Sequence, residues 1–360
     1  MKPNGHYDCL IVGMGLAGGL LAWRLRQTGQ KILIADPCSG RSASRTAAGL
    51  INPVTGRRLV KTKNFERMLA SAQDLYRTLE DESGLVFYRP LQLLRLFASE
   101  QQAALWRERK KDSRHDPCFQ KYVPPDCCPA GTNAPFGGFL VPNAATVDTE
   151  PLLDWLERLF DVEGVLAVTT VAPDEIKPTS NGIRWRRVTA QRVILCQGYH
   201  SADNTWFDWL PFQPAKGEIL TLSSQKKLTT RALAKEKWLI PTRTGYRLGA
   251  TYQWRSLDDR PSQSGRRLLL EALNTDLLTN PAQVEIIAHK AGIRPGTRDK
   301  QPFIGFHPDH PRIALFNGFG SKGALTIPWY SDAFTKSLTD GIPIPPEADV
   351  GRFCETHFPG

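Results

Sequence analysis

Residues 9–36 read CLIVGMGLAGGLLAWRLRQTGQKILIAD and decide the expected fold. Residues 9–12 are apolar and residues 31–35 are apolar after Lys31, as is typical of buried strands, and residues 19–25 have the composition of a helix. The turn between the first strand and the helix, residues 13–18, matches G-x-G-x-x-G. This order predicts a strand, a tight turn, a helix and a second parallel strand.

Each glycine of this turn has a mechanical role in a dinucleotide-binding unit. Gly13 permits the tight turn, Gly15 lets a pyrophosphate approach the backbone, and Gly18 lets the helix pack on the strand. The amino end of the helix offers N–H groups and a positive dipole end to phosphates. Asp36 follows Gly18 by 18 residues, where a carboxylate accepts bonds from ribose hydroxyls. We expect a dinucleotide site; the alternative is a glycine-rich turn that binds nothing.

Length and composition are typical of a globular protein with two lobes. The chain has 360 residues, of which 41% are apolar and 23% charged. No uninterrupted run of 18 or more apolar residues occurs, so no membrane span is expected, and Asp8 with the following glycines argues against a signal peptide. Seven cysteines without a C-x-x-C pair predict neither zinc nor a disulfide framework. We expect reduced thiols, no metal and a cytoplasmic location.

The net charge of +10 favours anionic partners. Short basic clusters occur at residues 57–58, 107–111 and 184–187. They fit a nucleic acid or an acidic substrate, or else a solvated, soluble surface.

The rest of the chain alternates between helical and strand patterns, which predicts a mixed α/β fold. The pattern predicts helices over residues 64–83, 100–111, 151–160 (capped by Asp148), 266–278, 281–289 and 326–338. Strands are expected near residues 86–90, 91–97, 138–142, 165–169, 183–186, 192–196, 218–222, 238–241, 246–248 and 312–316. A long loop is expected over residues 112–138.

Five further segments follow the opening turn in a fixed order. They are residues 44–50 (SRTAAGL), 193–198 (VILCQG), 214–218 (PAKGE), 291–305 (AGIRPGTRDKQPFIG) and 317–323 (NGFGSKG). With the opening turn they resemble the D-amino-acid oxidase superfamily of FAD enzymes, and most closely its glycine oxidase branch. The resemblance spans residues from about 7 to about 340.

This resemblance implies an α/β (mixed α+β) fold with a Rossmann-like FAD-binding domain and a second, mostly antiparallel β-sheet substrate domain. The FAD-binding domain would be discontinuous, and the expected segments are 1–80, 140–205 and 285–360. The substrate domain would comprise residues 81–139 and 206–284.

The resemblance also implies which residues hold the cofactor. Some relatives attach flavin through a cysteine before the Pro-x-Ile-Gly segment; this chain has no cysteine between Cys196 and Cys354, so we expect non-covalent FAD. The expected FAD-binding residues are Gly13, Gly15, Leu16, Ala17, Gly18, Asp36, Pro37, Ser44, Arg45, Thr46, Ala47, Ala48, Gly49, Val171, Gln197, Gly198, Gly318, Gly320, Ser321, Lys322 and Gly323.

Four residues are expected to carry the chemistry. In the resembling oxidases the arginine of the Arg-Pro motif, here Arg294, holds the substrate carboxylate in a two-bond fork; the alternative is an internal ion pair. Trp238 and Tyr252 fall where pocket side chains stand, or belong to the sheet core. Trp238 replaces an expected tyrosine, which puts glycine itself in doubt as substrate. Lys322 would stabilise reduced flavin, or is an exposed lysine.

Three functions follow. The leading one is FAD-dependent oxidation of the C–N bond of an amino acid or N-substituted glycine. Hydride would pass to flavin N5, the imine would hydrolyse, and O₂ is the expected acceptor. The second makes a carboxymethylaminomethyl-uridine in tRNA the substrate, which the basic charge fits. The third is a non-catalytic flavin-binding subunit. A homo-oligomer is also considered, and residues 52–58 are either a substrate loop or a surface turn.

Overall fold

The computed structural model describes residues 4–112 and 118–354. The predicted loop 112–138 falls partly outside these residues. The described part contains seven α-helices: α1 (Leu16–Gln27), α2 (Ala43–Thr46), α3 (Phe65–Ser83), α4 (Glu100–Lys110), α5 (Thr149–Val162), α6 (Gln263–Ala272) and α7 (Gly323–Asp340). A π-helical turn, Leu273–Leu277, continues α6.

Nineteen strands in the described residues form two large sheets and a small hairpin. In chain order they are β1 (Gly5–Val12), β2 (Ile32–Asp36), β3 (Leu50–Ile51), β4 (Val54–Thr55), β5 (Val60–Lys61), β6 (Tyr88–Leu96), β7 (Tyr122–Val123), β8 (Gly138–Val147), β9 (Leu166–Val168), β10 (Ile176–Thr179), β11 (Gly182–Trp185), β12 (Val188–Leu195), β13 (Ala215–Ser224), β14 (Ala232–Ala234), β15 (Trp238–Pro241), β16 (Tyr246–Gly249), β17 (Val284–Arg294), β18 (Phe303–Phe306) and β19 (Ile313–Asn317).

The first sheet has a parallel centre built by the predicted βαβ unit. Strands β19, β12, β1, β2 and β9 run parallel in that order, with antiparallel β18, β11 and β10 alongside. Parallel strands present their carboxyl ends at one edge, and ligands of such sheets bind there. The turns after β1, β2, β12 and β19 therefore meet at this edge. The expected mixed α/β fold with a Rossmann-like domain is confirmed.

The second sheet is mostly antiparallel, in the order β17-β13-β16-β15-β14-β6-β8-β3. Only β14 and β6 pair in parallel among the pairs of this sheet that the structure describes. It includes β8 and β17, whereas the expected boundaries at residues 140 and 285 assign most of both strands to the FAD-binding segments. At each of these two boundaries, one strand of the second sheet falls in a segment that was assigned to the FAD-binding domain. The division into domains stays a prediction.

The helix predicted over residues 281–289 is wrong. Val284–Arg294 is a strand that pairs with β13 along its whole length, from Ser224↔Val284 to Ala215↔Arg294. The run Val284, Ile286 and Ile287 is β-branched, which suits a pleated surface better than a helix. Its pairing partner lies about 70 residues earlier in the chain, so a local helical spacing could not reveal it.

Two other local expectations need correction. Helix α5 begins at Thr149, but the side chain of Asp148 makes no capping bond; it pairs instead with Arg89, at 3.0 Å. Residues 86–97, read as two strands, contain one continuous strand, β6. The helices predicted over 64–83 and 100–111 match α3 and α4 within a residue.

The largest apolar core lies between α1, α3 and α7 and both sheets, and it includes Leu16, which follows the turn after β1. Trp23 and Leu20 of α1, Tyr76 of α3 and Tyr330 of α7 are all buried there. No helix in the described part of the chain is long and apolar enough to cross a membrane.

Candidate active site

A cleft of about 920 Å³ runs from the carboxyl edge of the first sheet to the face of the second. Of the residues expected to bind FAD or substrate, all except Gly18 and Gly318 line this one cleft. They come from segments as far apart in the chain as residues 13–17 and 320–323.

In the predicted phosphate-binding turn, the backbone packs closely at Gly18, as the sequence motif predicts. A Cβ on Gly18 would lie 1.9 Å from the carbonyl oxygen of Gly13, so only glycine fits. The backbone N–H of Leu16, at the start of α1, donates to the hydroxyl of Ser44 at 3.0 Å. Ser44 therefore borders the amino end of α1, where a phosphate would bind.

Asp36 ends β2 and is oriented by the backbone. Its two carboxylate oxygens accept hydrogen bonds from the N–H groups of Met14 and Cys38, each at 2.7 Å. Each oxygen retains a lone pair for a ribose hydroxyl. Burial, together with the nearby Asp36 and Glu157, raises the pKa of the Cys38 thiol to about 12.

The segment containing residues 44–49 bridges the two sheets. Within this segment, the guanidinium of Arg45 pairs with Asp154 and Glu157 of α5. The distance to Glu157 is 2.7 Å. The charge of Arg45 is thus engaged by the protein, although the residue lines the cleft. Thr46 donates through its hydroxyl to the carbonyl of Ala291 in β17, at 3.1 Å. This bond ties the predicted flavin-binding segment to the strand that carries Arg294.

The loops that follow β12 and β19 are joined by Asn317. Its amide nitrogen donates to the carbonyl of Gly198 at 2.7 Å, and Gly318 has a φ of 84° that suits glycine. The N–H of Gly320 donates to the carbonyl of Pro295 at 3.0 Å. These bonds place the predicted residues 320–323 beside the Arg-Pro motif. Val171, after β9, and Gln197, after β12, also border the cleft.

Arg294 ends β17 with its guanidinium in the cleft. It donates to the carbonyl of Thr251 at 3.3 Å and lies over the ring of Tyr252, 4.9 Å from the centroid. No acidic side chain of the described residues lies within ion-pair distance of it. Burial lowers the pKa of Arg294 from its usual value, and Tyr252 opposes this. The guanidinium remains charged, since arginine is not deprotonated in proteins.

The two aromatic residues expected in the pocket, Trp238 and Tyr252, differ in their contacts and exposure. The indole of Trp238 lies across Gly249, where an added Cβ would come within 2.5 Å of the ring. Tyr252 is 41% exposed and its ring lies 4.9 Å from that of Trp254. Both residues line the cleft, so they border the open space beside the second sheet.

Lys322 enters the cleft just before α7. Its ammonium donates to the hydroxyl of Thr62 at 3.1 Å. Burial lowers its pKa from the usual lysine value. It lies on the cleft side of the protein and is half-buried.

Several cleft residues carry no recognisable signal in the sequence. Arg95 of β6 and Glu236 line the cleft, as do Asn52, Thr55 and Gly56 of the segment around the hairpin β4–β5. The segment read as either a substrate loop or a surface turn therefore borders the cleft. Arg95 stands between buried leucines in its strand, and neither its spacing nor its neighbours distinguishes it from an outward-facing residue.

The geometry of the cleft fits FAD. A turn in which Gly13 and Gly18 leave no room for a Cβ leads into α1, a carboxylate ends β2, and the cleft continues to a part-buried arginine on the second sheet. A dinucleotide needs the first two features, and a flavin next to a substrate needs the third.

Comparisons with known proteins agree with this geometry. A curated glycine oxidase of Pseudomonas putida is 33% identical over 181 residues, 48% of each chain. The tRNA 5-methylaminomethyl-2-thiouridine biosynthesis bifunctional protein MnmC of Marinobacter nauticus is 25% identical over 356 residues, 90% of this chain and 54% of that protein. The matches thus span about half the length of these two relatives.

Solved structures show the same fold. Glycine oxidase from Geobacillus kaustophilus superposes with a TM-score of 0.82 at 20% identity, covering 95% of this chain and 98% of that one. The family profile described as FAD dependent oxidoreductase matches residues 8–336. The chain therefore belongs to the DAO family of FAD-dependent oxidoreductases, and FAD is its cofactor.

Proposed function

We propose that this protein oxidises the C–N bond of an amino acid or of an N-substituted glycine. The observation that carries the proposal is the part-buried Arg294 guanidinium, which faces the cleft and has no acidic partner among the described residues. A buried cation without a counter-charge is unfavourable, and a substrate carboxylate would supply that charge through two parallel bonds. Relatives named glycine oxidase support an amino-acid substrate.

The residues of the cleft would bind and orient the substrate. Arg294 would hold the carboxylate, and Trp238 and Tyr252 would exclude water from the adjacent carbon and nitrogen. Bound FAD would supply a hydride acceptor for the substrate's α-carbon. The resulting imine would leave and hydrolyse, with O₂ as the proposed final acceptor of the electrons. No side chain is assigned as a general base.

A second candidate substrate is a carboxymethylaminomethyl-uridine in tRNA. It also presents a carboxylate to Arg294, and the net charge of +10 favours a polyanion. A relative named for tRNA 5-methylaminomethyl-2-thiouridine biosynthesis matches 90% of this chain. The cytoplasmic location and the homo-oligomer remain predictions.

The test is to mix the enzyme with amines without oxygen and to measure reduction of the bound flavin as a loss of its absorbance. Glycine, sarcosine, D- and L-amino acids, proline and modified tRNA would each be mixed with the wild type, Arg294→Ala and Arg298→Ala. We expect one amine to bleach the wild type. Arg294→Ala should lose on the order of a hundredfold in kcat/KM, about 2.7 kcal/mol.

Arg298 is the matched control, since it is exposed in the same motif and its change should leave kcat/KM nearly unaltered. A loss of threefold or less in Arg294→Ala would contradict the carboxylate assignment. Bleaching by tRNA alone, with affinity that falls steeply with salt, would favour the second candidate. Bound flavin that no amine bleaches would favour a non-catalytic subunit.

A further inference from the structure

A second arginine, Arg95, lines the cleft and is more deeply buried than Arg294. Arg95 of β6 is only 8% exposed, and its guanidinium donates a single described hydrogen bond, to the carbonyl of Gly56 at 3.3 Å. Within residues 4–112 and 118–354, its buried Nε atom has no hydrogen-bond partner. The guanidinium thus has one neutral acceptor and lines the cleft wall.

Burial lowers the pKa of Arg95 to about 10, and the carboxylate of Glu236 opposes this shift without forming an ion pair with Arg95. Glu236 lines the same end of the cleft, but its carboxylate pairs with Arg57, at 2.5 Å, and its side chain is 44% exposed. No described acidic group lies within ion-pair distance of Arg95. A buried arginine without an ionic partner is unfavourable unless a ligand supplies the missing charge.

The register of the second sheet places Arg95 and the substrate anchor on one face. Paired residues of adjacent strands run across the sheet in one row: Arg95, Ala234, Trp238, Gly249 and Ile219. Arg294 lies over Gly217, two residues from Ile219 on the same face of β13. Four strand spacings separate β6 from β13, or roughly 19 Å between backbones. Trp238, on β15, lies between these two strands in the same row.

From this arrangement we infer that Arg95 binds a second anionic group of the substrate. The substrate class is an elongated amino acid or N-substituted glycine whose far end carries a carboxylate or a phosphate. Its first carboxylate lies on Arg294, its apolar middle passes Trp238, and its far anion pairs with Arg95. The inference rests on the proposed function, because Arg294 supplies the first anchor.

The experiment measures binding of ligands that the flavin cannot oxidise. Decanoate and sebacate have the same chain length and differ only in a second terminal carboxylate. Each would be titrated into the FAD-loaded enzyme while the flavin absorbance spectrum is followed, in the wild type, Arg95→Met, Arg95→Lys and Arg58→Met. Arg58 is exposed in the turn of the hairpin β4–β5, which also contains Gly56, and serves as the control. A phosphonate of the same length in place of the far carboxylate distinguishes carboxylate from phosphate.

We expect sebacate or its phosphonate counterpart to bind the wild type at least tenfold more tightly than decanoate. The ratio should fall to about one in Arg95→Met, stay intermediate in Arg95→Lys and remain unchanged in Arg58→Met. If Arg95 only anchors the hairpin β4–β5 through Gly56, Arg95→Met will bind both ligands more weakly by the same factor. The ratio of their affinities will then stay as in the wild type. That result, or a wild-type ratio near one, overturns the inference.

Failure of the two proposals is distinguishable. If decanoate binding depends on Arg294 and a second anion adds nothing, only the second anchor is wrong. If decanoate binds equally well to Arg294→Ala, the carboxylate anchor is wrong even where the preference for two anions still depends on Arg95. If the wild type binds neither ligand, both are wrong. Absorbance of bound FAD and thermal unfolding would verify that each variant is folded.

Discussion

Arg294 owes its position to a residue with no side chain. A Cβ on Gly217 would fall 2.1 Å from a guanidinium nitrogen of Arg294, so the arginine lies flat on β13 only because glycine is there. Gly217 is paired with Gly292 of β17, where an added Cβ would meet Ala43 and Thr46 at 3.1 Å instead of the guanidinium. A specific carboxylate fork requires its donors to be held in place, which this contact achieves.

Replacing Gly217 with alanine tests this packing. We expect the added methyl to push the guanidinium out of line and to raise KM for the amine at least tenfold. FAD content should hardly change, because the first sheet is untouched. Steady-state kinetics and flavin absorbance measure both. Ser223→Ala, at the outer end of the same strand, is the control; equal KM values in the two variants would refute the role of Gly217.

Lys322 provides a pH-dependent prediction. A cation near the flavin stabilises its reduced, anionic form, so Lys322→Met should have a more negative midpoint potential. The shift should be on the order of 30 mV, about 1.4 kcal/mol for two electrons. Burial lowers the pKa of Lys322, so its charge disappears at a lower pH than an ordinary lysine's. The difference from wild type should therefore shrink as pH rises from neutral towards the usual lysine pKa.

Potentiometric titration of the flavin at several pH values would measure this difference. Lys336→Met is the matched control, because Lys336 is half-exposed in α7 and pairs with Asp332. A potential shift that is the same in both variants, or that does not vary with pH, would argue that Lys322 does not act on the flavin.

At the scale of the element, the turn between β1 and α1 depends on one close backbone contact. Gly18 and Gly19 are neighbours in α1 with different surroundings. A Cβ on Gly18 meets the carbonyl of Gly13 at 1.9 Å, whereas one on Gly19 meets the end of the Leu156 side chain at 3.1 Å. A backbone atom in a tight turn cannot move aside as a side-chain end does.

We therefore expect Gly18→Ala to weaken FAD binding by at least tenfold and to lower the free energy of unfolding by about 1–3 kcal/mol. Gly19→Ala should be close to neutral, since alanine also favours the helix. Fluorescence titration of the apoprotein with FAD and thermal unfolding compare the two. Similar FAD affinities in both variants would show that the turn tolerates a side chain and does not carry the pyrophosphate.

At the scale of the whole molecule, the cleft joins the two sheets. Its walls include Gly13 and Asp36 from the first sheet and Trp238 and Arg294 from the second. Since a ligand that binds only the folded state stabilises it, FAD in hundredfold excess over its Kd should add about 2.7 kcal/mol to the free energy of unfolding.

Removal of FAD should consequently lower the unfolding temperature and loosen both sheets together. Differential scanning calorimetry of the apoprotein and of the reconstituted enzyme would show this. Hydrogen exchange should become faster both in the turn after β1 and in β17. Faster exchange confined to the first sheet would mean that the cofactor does not reach the face that carries Arg294.

The sequence by itself determined the features that depend on neighbouring residues. The strand, glycine turn, helix and acid of residues 9–36, the helices α3 and α4, and the family resemblance all follow from local pattern. Backbone sterics and helical periodicity act over a few residues, so such patterns survive without knowledge of the fold.

Only the tertiary structure decided what depends on partners distant in the chain. Residues 284–294 form a strand because β13 pairs with them, although the local pattern predicts a helix over residues 281–289. Arg95 becomes a cleft residue because β6 pairs with β14, about 140 residues later, and so shares a row with Trp238. Burial and sheet register are properties of the assembled chain, and they determine whether an arginine is a surface charge or a ligand-binding group.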